Sequence, residues 1–257
     1  MSLPQILAAR RHIDSGFAAT IPDDWMQGRT SYGGLSAALA LVAAQGLVAD
    51  LPPLRSATVN FIGPLAGEAA VTARVLRQGR NATWISAEVA SEGKVGLTAT
   101  YVFMGPVESS LHLSDMPPPA GLLTPEQGYQ MPSHAGPGFS SHFDRRFALP
   151  RQTTPLPEIN WWVRLRDSDG LDPMVGLLLC ADALPPGVMP LLRTGPLSSM
   201  TWLVNLLTPA PVSRDGWWLL RAAGNYAENG CSSQDMAIWN ADGAPIAAGM
   251  QSVAIFG

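Results

Sequence analysis

Three polar side chains in the second half of the chain stand among apolar neighbours. Asp182 is the one charged residue between Met174 and Leu184, a run otherwise made of Met, Val, Gly, Leu, Cys and Ala. An ionised carboxylate buried without partners costs roughly several kcal/mol, so such a group is normally hydrogen-bonded, paired or functional. It also lies near the end of that run, where the turn at Pro185 could carry it to solvent, and pattern alone leaves both readings open. Thr201 shares a strand face with Leu203, Asn205 and Leu207, and Gln251 shares one with Ala247, Gly249, Val253 and Ile255. Thr is an ordinary strand residue, whereas a Gln on an apolar face needs a partner. Cys180, between Leu179 and Ala181 with no His or basic residue close in sequence, reads as core rather than as a nucleophile. Cys180 and Cys231 make no disulfide framework, and His12, His112, His134 and His142 have no zinc spacing, so neither metal nor cofactor is expected.

The elements that must position these residues repeat. TSYGGLSAALALVAAQ has Ser36 as its only polar residue from Leu35 to Ala44 and predicts a helix apolar all round, which a curved sheet would have to cover. RSATVNFIGPL, AAVTARVLRQ, NATWISAEVAS and KVGLTATYVF follow as an antiparallel meander with turns at Ala66-Gly67, Gly79-Arg80 and Glu92-Gly93. In the second half Asp172 predicts an N-cap and Pro173 the first turn of a helix MVGLLLCADAL, stopped by Pro185 and Pro186. SSMTWLVNLL, WWLLRAAGNYA, SSQDMAIWN and PIAAGMQSVAIF then repeat the strand order, with a turn at Asp242-Gly243. Ser56-Ala57-Thr58 and Ser199-Met200-Thr201 each open the strand after the helix, so the chain reads as two copies of one helix-plus-sheet unit. A Pro-rich linker at 106–138 separates the units 1–105 and 139–257.

Composition limits the function classes. With 257 residues, 47% hydrophobic and 14% charged, most of the chain cannot be disordered. A net charge of -4 leaves no general field for nucleic acid. The first twenty residues lack a signal-peptide core, no run of about 18 uninterrupted apolar residues predicts a membrane span, and a cytoplasmic protein is expected.

LLLCADALPPGVMP, SSMTWLVNLLTPAP, WWLLRAA and DGAPIAAGMQSVAIF resemble, in order and spacing, the second half of acyl-CoA thioesterases of the thioesterase II type. QGRTSYGGLSAALAL and VLRQGRNATWISAEV resemble that family's Gly-Gly helix start and central hairpin. The resemblance implies an α+β double hotdog fold, two antiparallel sheets each wrapped round a central helix and packed side by side. It also implies hydrolysis of an acyl-CoA thioester to free acid and CoA, in a homodimer or higher homo-oligomer. The family's catalytic Asp, Thr and Gln match Asp182, Thr201 and Gln251, which in that family hold a water for attack on the thioester carbonyl. The residue types suit the task, a carboxylate taking the proton while hydroxyl and amide fix the water.

In the first copy Leu39 falls near the place of Asp182 and Thr100 or Tyr101 near that of Gln251, so one active site per chain is expected, with only Thr58 corresponding. Leu39 would line an acyl tunnel or simply pack in the core. Many relatives carry an acidic residue and a histidine where this chain reads WLVNLLTPAP, and Asn205 could replace one of them in binding substrate. Backbone N–H groups at Gly33 and Gly34 could bind the oxyanion, or these glycines could only let the helix pack. A hydratase of this fold would pair an Asp with a His, yet no His follows His142. The other class to weigh is a non-catalytic acyl or lipid binder, which would need no polar trio.

Overall fold

The computed structural model describes residues 1–132 and 136–256; His134, expected in a solvated loop, lies outside them. The first half contains α1 (Leu3–Ala8), β1 (Arg11–Ile13), β2 (Gly16–Ile21), β3 (Met26–Gln27), β4 (Thr30–Ser31), α2 (Gly33–Gln45), β5 (Leu54–Phe61), β6 (Gly67–Gln78), β7 (Ala82–Ser91) and β8 (Lys94–Met104). The second contains β9 (Tyr129–Gln130), β10 (Phe143–Phe147), β11 (Glu158–Leu165), α3 (Pro173–Ala181), β12 (Leu197–Leu206), β13 (Trp218–Glu228), β14 (Cys231–Asn240) and β15 (Pro245–Ile255). Residues 105–128 form neither helix nor strand, and no helix among the described residues is long and apolar enough to cross a membrane.

The expected pair of separate sheets is corrected to one. Thirteen strands form a single antiparallel sheet in the order β1-β2-β6-β7-β8-β5-β12-β15-β14-β13-β11-β10-β9, with β3 and β4 paired apart. The two halves are joined through β5 and β12, which pair from Ser56 with Asn205 to Asn60 with Thr201. Each strand would otherwise leave a row of unpaired N–H and C=O groups at the edge of its half, and pairing satisfies both rows at once. Either side of this seam the order runs β5-β8-β7-β6-β2 and β12-β15-β14-β13-β11, in each half the four strands that follow the helix and then one that precedes it.

Helix α3 starts as its sequence demands, with the Asp172 side chain accepting from the N–H groups of Met174 and Val175 at 3.0 and 3.1 Å. It ends at Ala181, three residues earlier than the periodicity suggests, and Asp182 becomes its C-cap with φ -96° and ψ 9°. Helix α2 is buried from Gly34 through Leu41 and packs on α3, β6, β7 and β8. Leu39 is fully buried there. Trp162, Trp217 and Trp239 form a second, smaller apolar cluster. The chain at Met116 and Leu123 meets it, accepting hydrogen bonds from the Trp239 and Trp162 indoles at 2.9 Å each.

Candidate active site

Ending α3 at Ala181 leaves the Asp182 side chain partly buried, beside the start of α2. The Gly34 backbone N–H favours its ionised form. A Cβ placed on Gly33 would stand 2.6 Å from Asp182 Oδ2 and 2.7 Å from Phe61 Cε1, so only glycine leaves the carboxylate its place. A helix N-terminus carries partial positive charge and favours an anion here.

From the sheet, Gln251 Nε2 donates to Asp182 Oδ1 at 3.1 Å. Gln251 Oε1 accepts from Gln234 Nε2 at 2.9 Å, and Gln234 Oε1 accepts from the backbone N–H of Gly187 at 2.8 Å. Gln234 and Gln251 sit directly opposite each other on β14 and β15, and both are buried. Burial pushes the Asp182 carboxyl up to about 7, with the Gln251 bond and the Gly34 N–H opposing the rise. The titratable neighbours Tyr32 and Cys180 stay neutral: burial raises Tyr32 well above its ordinary range and the Cys180 thiol to about 12. Burial thus disfavours the thiolate of Cys180.

The third expected member lies elsewhere. Directly opposed residues of an antiparallel pair share a face, and Gln251 opposes Trp202, which is 2% exposed, not Thr201. Thr201 opposes Ser252 and is exposed; Asn205 lies on the same outer face, opposite Ala248 and Ser56. Both thus face away from Gln251, and among the described residues neither side chain is hydrogen-bonded to Asp182. The cause is a bulge between Ser199 and Thr201, which adds Met200 to β12 and leaves it exposed. Before the bulge, Ser199, itself partly exposed, opposes Val253, which is fully buried, and so shares the face of Gln251. Such diagonal neighbours stand about 7–8 Å apart between Cα atoms.

A matching bulge in β5, between Leu54 and Ser56, aligns the two halves. Leu54 opposes Phe103 as Ser199 opposes Val253, and Ala57 opposes Tyr101 as Trp202 opposes Gln251. Tyr101 in turn opposes Ile85 as Gln251 opposes Gln234. The first half thus carries Leu54, Tyr101 and Ile85, all buried, where the second carries Ser199, Gln251 and Gln234. The Tyr101 hydroxyl donates to the Ala37 carbonyl at 2.7 Å, closing that position within the core.

Among the described residues no group of three or more His, Cys, Asp and Glu could hold a metal ion. A cavity of about 910 Å³ opens between the 149–156 loop, Trp161 and Met189-Pro190, and neither Asp182 nor Gln251 lines it.

Sequence comparison matches residues 21–104 to the acyl-CoA thioesterase N-terminal domain and residues 112–255 to the acyl-CoA thioesterase C-terminal domain. No curated protein sequence matches. A hot dog fold protein of unknown function from Alicyclobacillus acidocaldarius superposes with a TM-score of 0.86 at 22% identity, covering 100% of this chain and 99% of that one. A candidate thioesterase II from Thermobifida fusca gives 0.82 at 23% identity, with 96% and 94% covered. An acyl-CoA thioesterase II from Mycobacterium marinum gives 0.74 at 16%, with 100% and 99% covered. All three share this fold.

Proposed function

The chain belongs to the acyl-CoA thioesterase family, and from that premise we propose that it hydrolyses an acyl-CoA thioester to the free acid and CoA by direct attack of water. The observation that carries this reading is the Gln251 amide held 3.1 Å from a carboxylate whose proton affinity lies near 7. A general base is most effective when its pKa lies near the working pH. Asp182 takes a proton from the water as its oxygen bonds to the thioester carbon, and the same proton then passes to the sulfur as the C–S bond breaks. No covalent enzyme intermediate forms. Gln251 orients the carboxylate, and Ser199, in place of Thr201, supplies the hydroxyl on that face. Gly33 and the α2 N-terminus offer backbone N–H donors to the oxyanion.

The same reading takes the chain as a double hotdog, residues 1–105 and 139–257 joined by 106–138. By family resemblance it forms a homodimer or larger assembly, and the sequence reading places it in the cytoplasm. A panel of acyl-CoA thioesters of graded chain length, followed by release of free thiol, tests the activity. Tight binding of every thioester without thiol release would replace hydrolysis with acyl binding.

A further inference from the structure

We propose that Gln234 is a positioning residue whose amide fixes the direction in which Gln251 faces Asp182. This deepens the hydrolase reading and rests on it for its catalytic consequence, though not for its geometry.

An amide can present either its oxygen or its nitrogen to a neighbour, and the two faces act oppositely on a carboxylate. At Gly187 the choice is made by the backbone, because a peptide N–H only donates. Its bond to Gln234 Oε1 at 2.8 Å leaves Gln234 Nε2 facing Gln251. Nε2 donates at 2.9 Å to Gln251 Oε1, which leaves Gln251 Nε2 to donate at 3.1 Å to Asp182 Oδ1. Each link sets the polarity of the next, and the chain ends with a donor aimed at the carboxylate. The backbone is itself fixed: a Cβ on Gly187 would meet the Ala222 carbonyl oxygen and the Gly224 nitrogen at 2.8 Å each.

The fold does not require this pair. At the matching places of the first half, Ile85 and Tyr101 fill the same sheet positions and are fully buried. Two buried glutamines are costly unless every polar atom is satisfied, and an apolar pair would serve packing alone. Gln234 is 1% exposed and reaches neither solvent nor Asp182 directly, so it acts through Gln251.

The decisive readout is the ionisation of Asp182 itself, followed by carbon-13 NMR of protein labelled at the Asp carboxyls, with Asp182→Asn identifying the resonance. Without Gln234 the Gln251 amide is no longer held with its nitrogen toward Asp182, which disfavours the ionised form, so in Gln234→Met the Asp182 midpoint should rise by about one pH unit, and kcat on an acyl-CoA should fall about tenfold with KM little changed. Gln234→Glu keeps the acceptor for Gly187 but, once ionised, cannot donate to Gln251. The Gln251 amide then turns its oxygen to Asp182, and the midpoint should rise further. Should Gln234→Met not fold, Gln234→Leu takes its place, because the charge added by Gln234→Glu raises the midpoint by itself. An unchanged Asp182 midpoint in a folded variant would overturn the proposal, since a purely structural role would lower stability and leave the midpoint in place. The titration needs no substrate, so it stands even if no thioester is hydrolysed.

Discussion

Gln251 and Asp182, one on the sheet and one at the end of α3, meet through an Nε2 to Oδ1 hydrogen bond of 3.1 Å. The bond favours the ionised carboxylate while burial opposes it, and the balance settles near 7. Asp182 is therefore expected to be about half ionised near neutral pH.

That raised affinity for a proton has a cost in stability. An unfolded Asp titrates near ~3.9, and in the folded chain Asp182 titrates near 7. The folded state holds its proton where the unfolded chain has lost it, so stability falls as pH rises from about 4 to about 7. Asp182→Asn should melt at a higher temperature than wild type at pH 8, with the difference vanishing near pH 4. Thermal melts across this range check it.

Ser199→Ala should lower kcat about tenfold, the effect of one positioned hydrogen bond. Thr201→Ala and Thr58→Ala, on the outer face, should keep about the wild-type rate. Steady-state rates on one acyl-CoA decide; loss with Thr201→Ala and none with Ser199→Ala would return the site to the other face.

Gly33→Ala places a methyl group 2.6 Å from Asp182 Oδ2. The carboxylate must move, and a displacement of about 1 Å at a reacting group can cost about 10²-fold. Turnover should fall on that scale while circular dichroism stays unchanged.

Asp172→Ala removes the α3 cap and should cost about 1 kcal/mol, lowering Tm by roughly 2–4 °C with kcat preserved.

Local chemistry made much of this legible in the sequence. Asp172-Pro173 marked the start of α3, the turns at Glu92-Gly93 and Asp242-Gly243 separate the expected hairpins, and the isolation of Asp182 and Gln251 among apolar neighbours pointed to two groups that do bond. Three features were hidden because each depends on a partner strand. The seam between β5 and β12 is a choice of edge pairing that neither strand encodes alone. The Met200 bulge reverses the facing of Thr201 and the rest of β12, and nothing in SSMTWLV marks the extra residue. Gln234 sits in a strand of mixed polarity, SSQDMAIWN. Its alternation with Met236 and Ile238, both buried, was the available sign that it faces the core.

The most direct measurement is the pH dependence of kcat/KM for wild type and Asp182→Asn on one good acyl-CoA, with folding of the variant checked by circular dichroism. Wild type should lose activity as pH falls through about 7, where the carboxylate takes up its proton. The Asn variant should lack that limb and turn over about 10²- to 10⁴-fold more slowly. A folded Asn variant working at near wild-type rate, or a wild-type profile flat through neutral pH, would contradict Asp182 as the base.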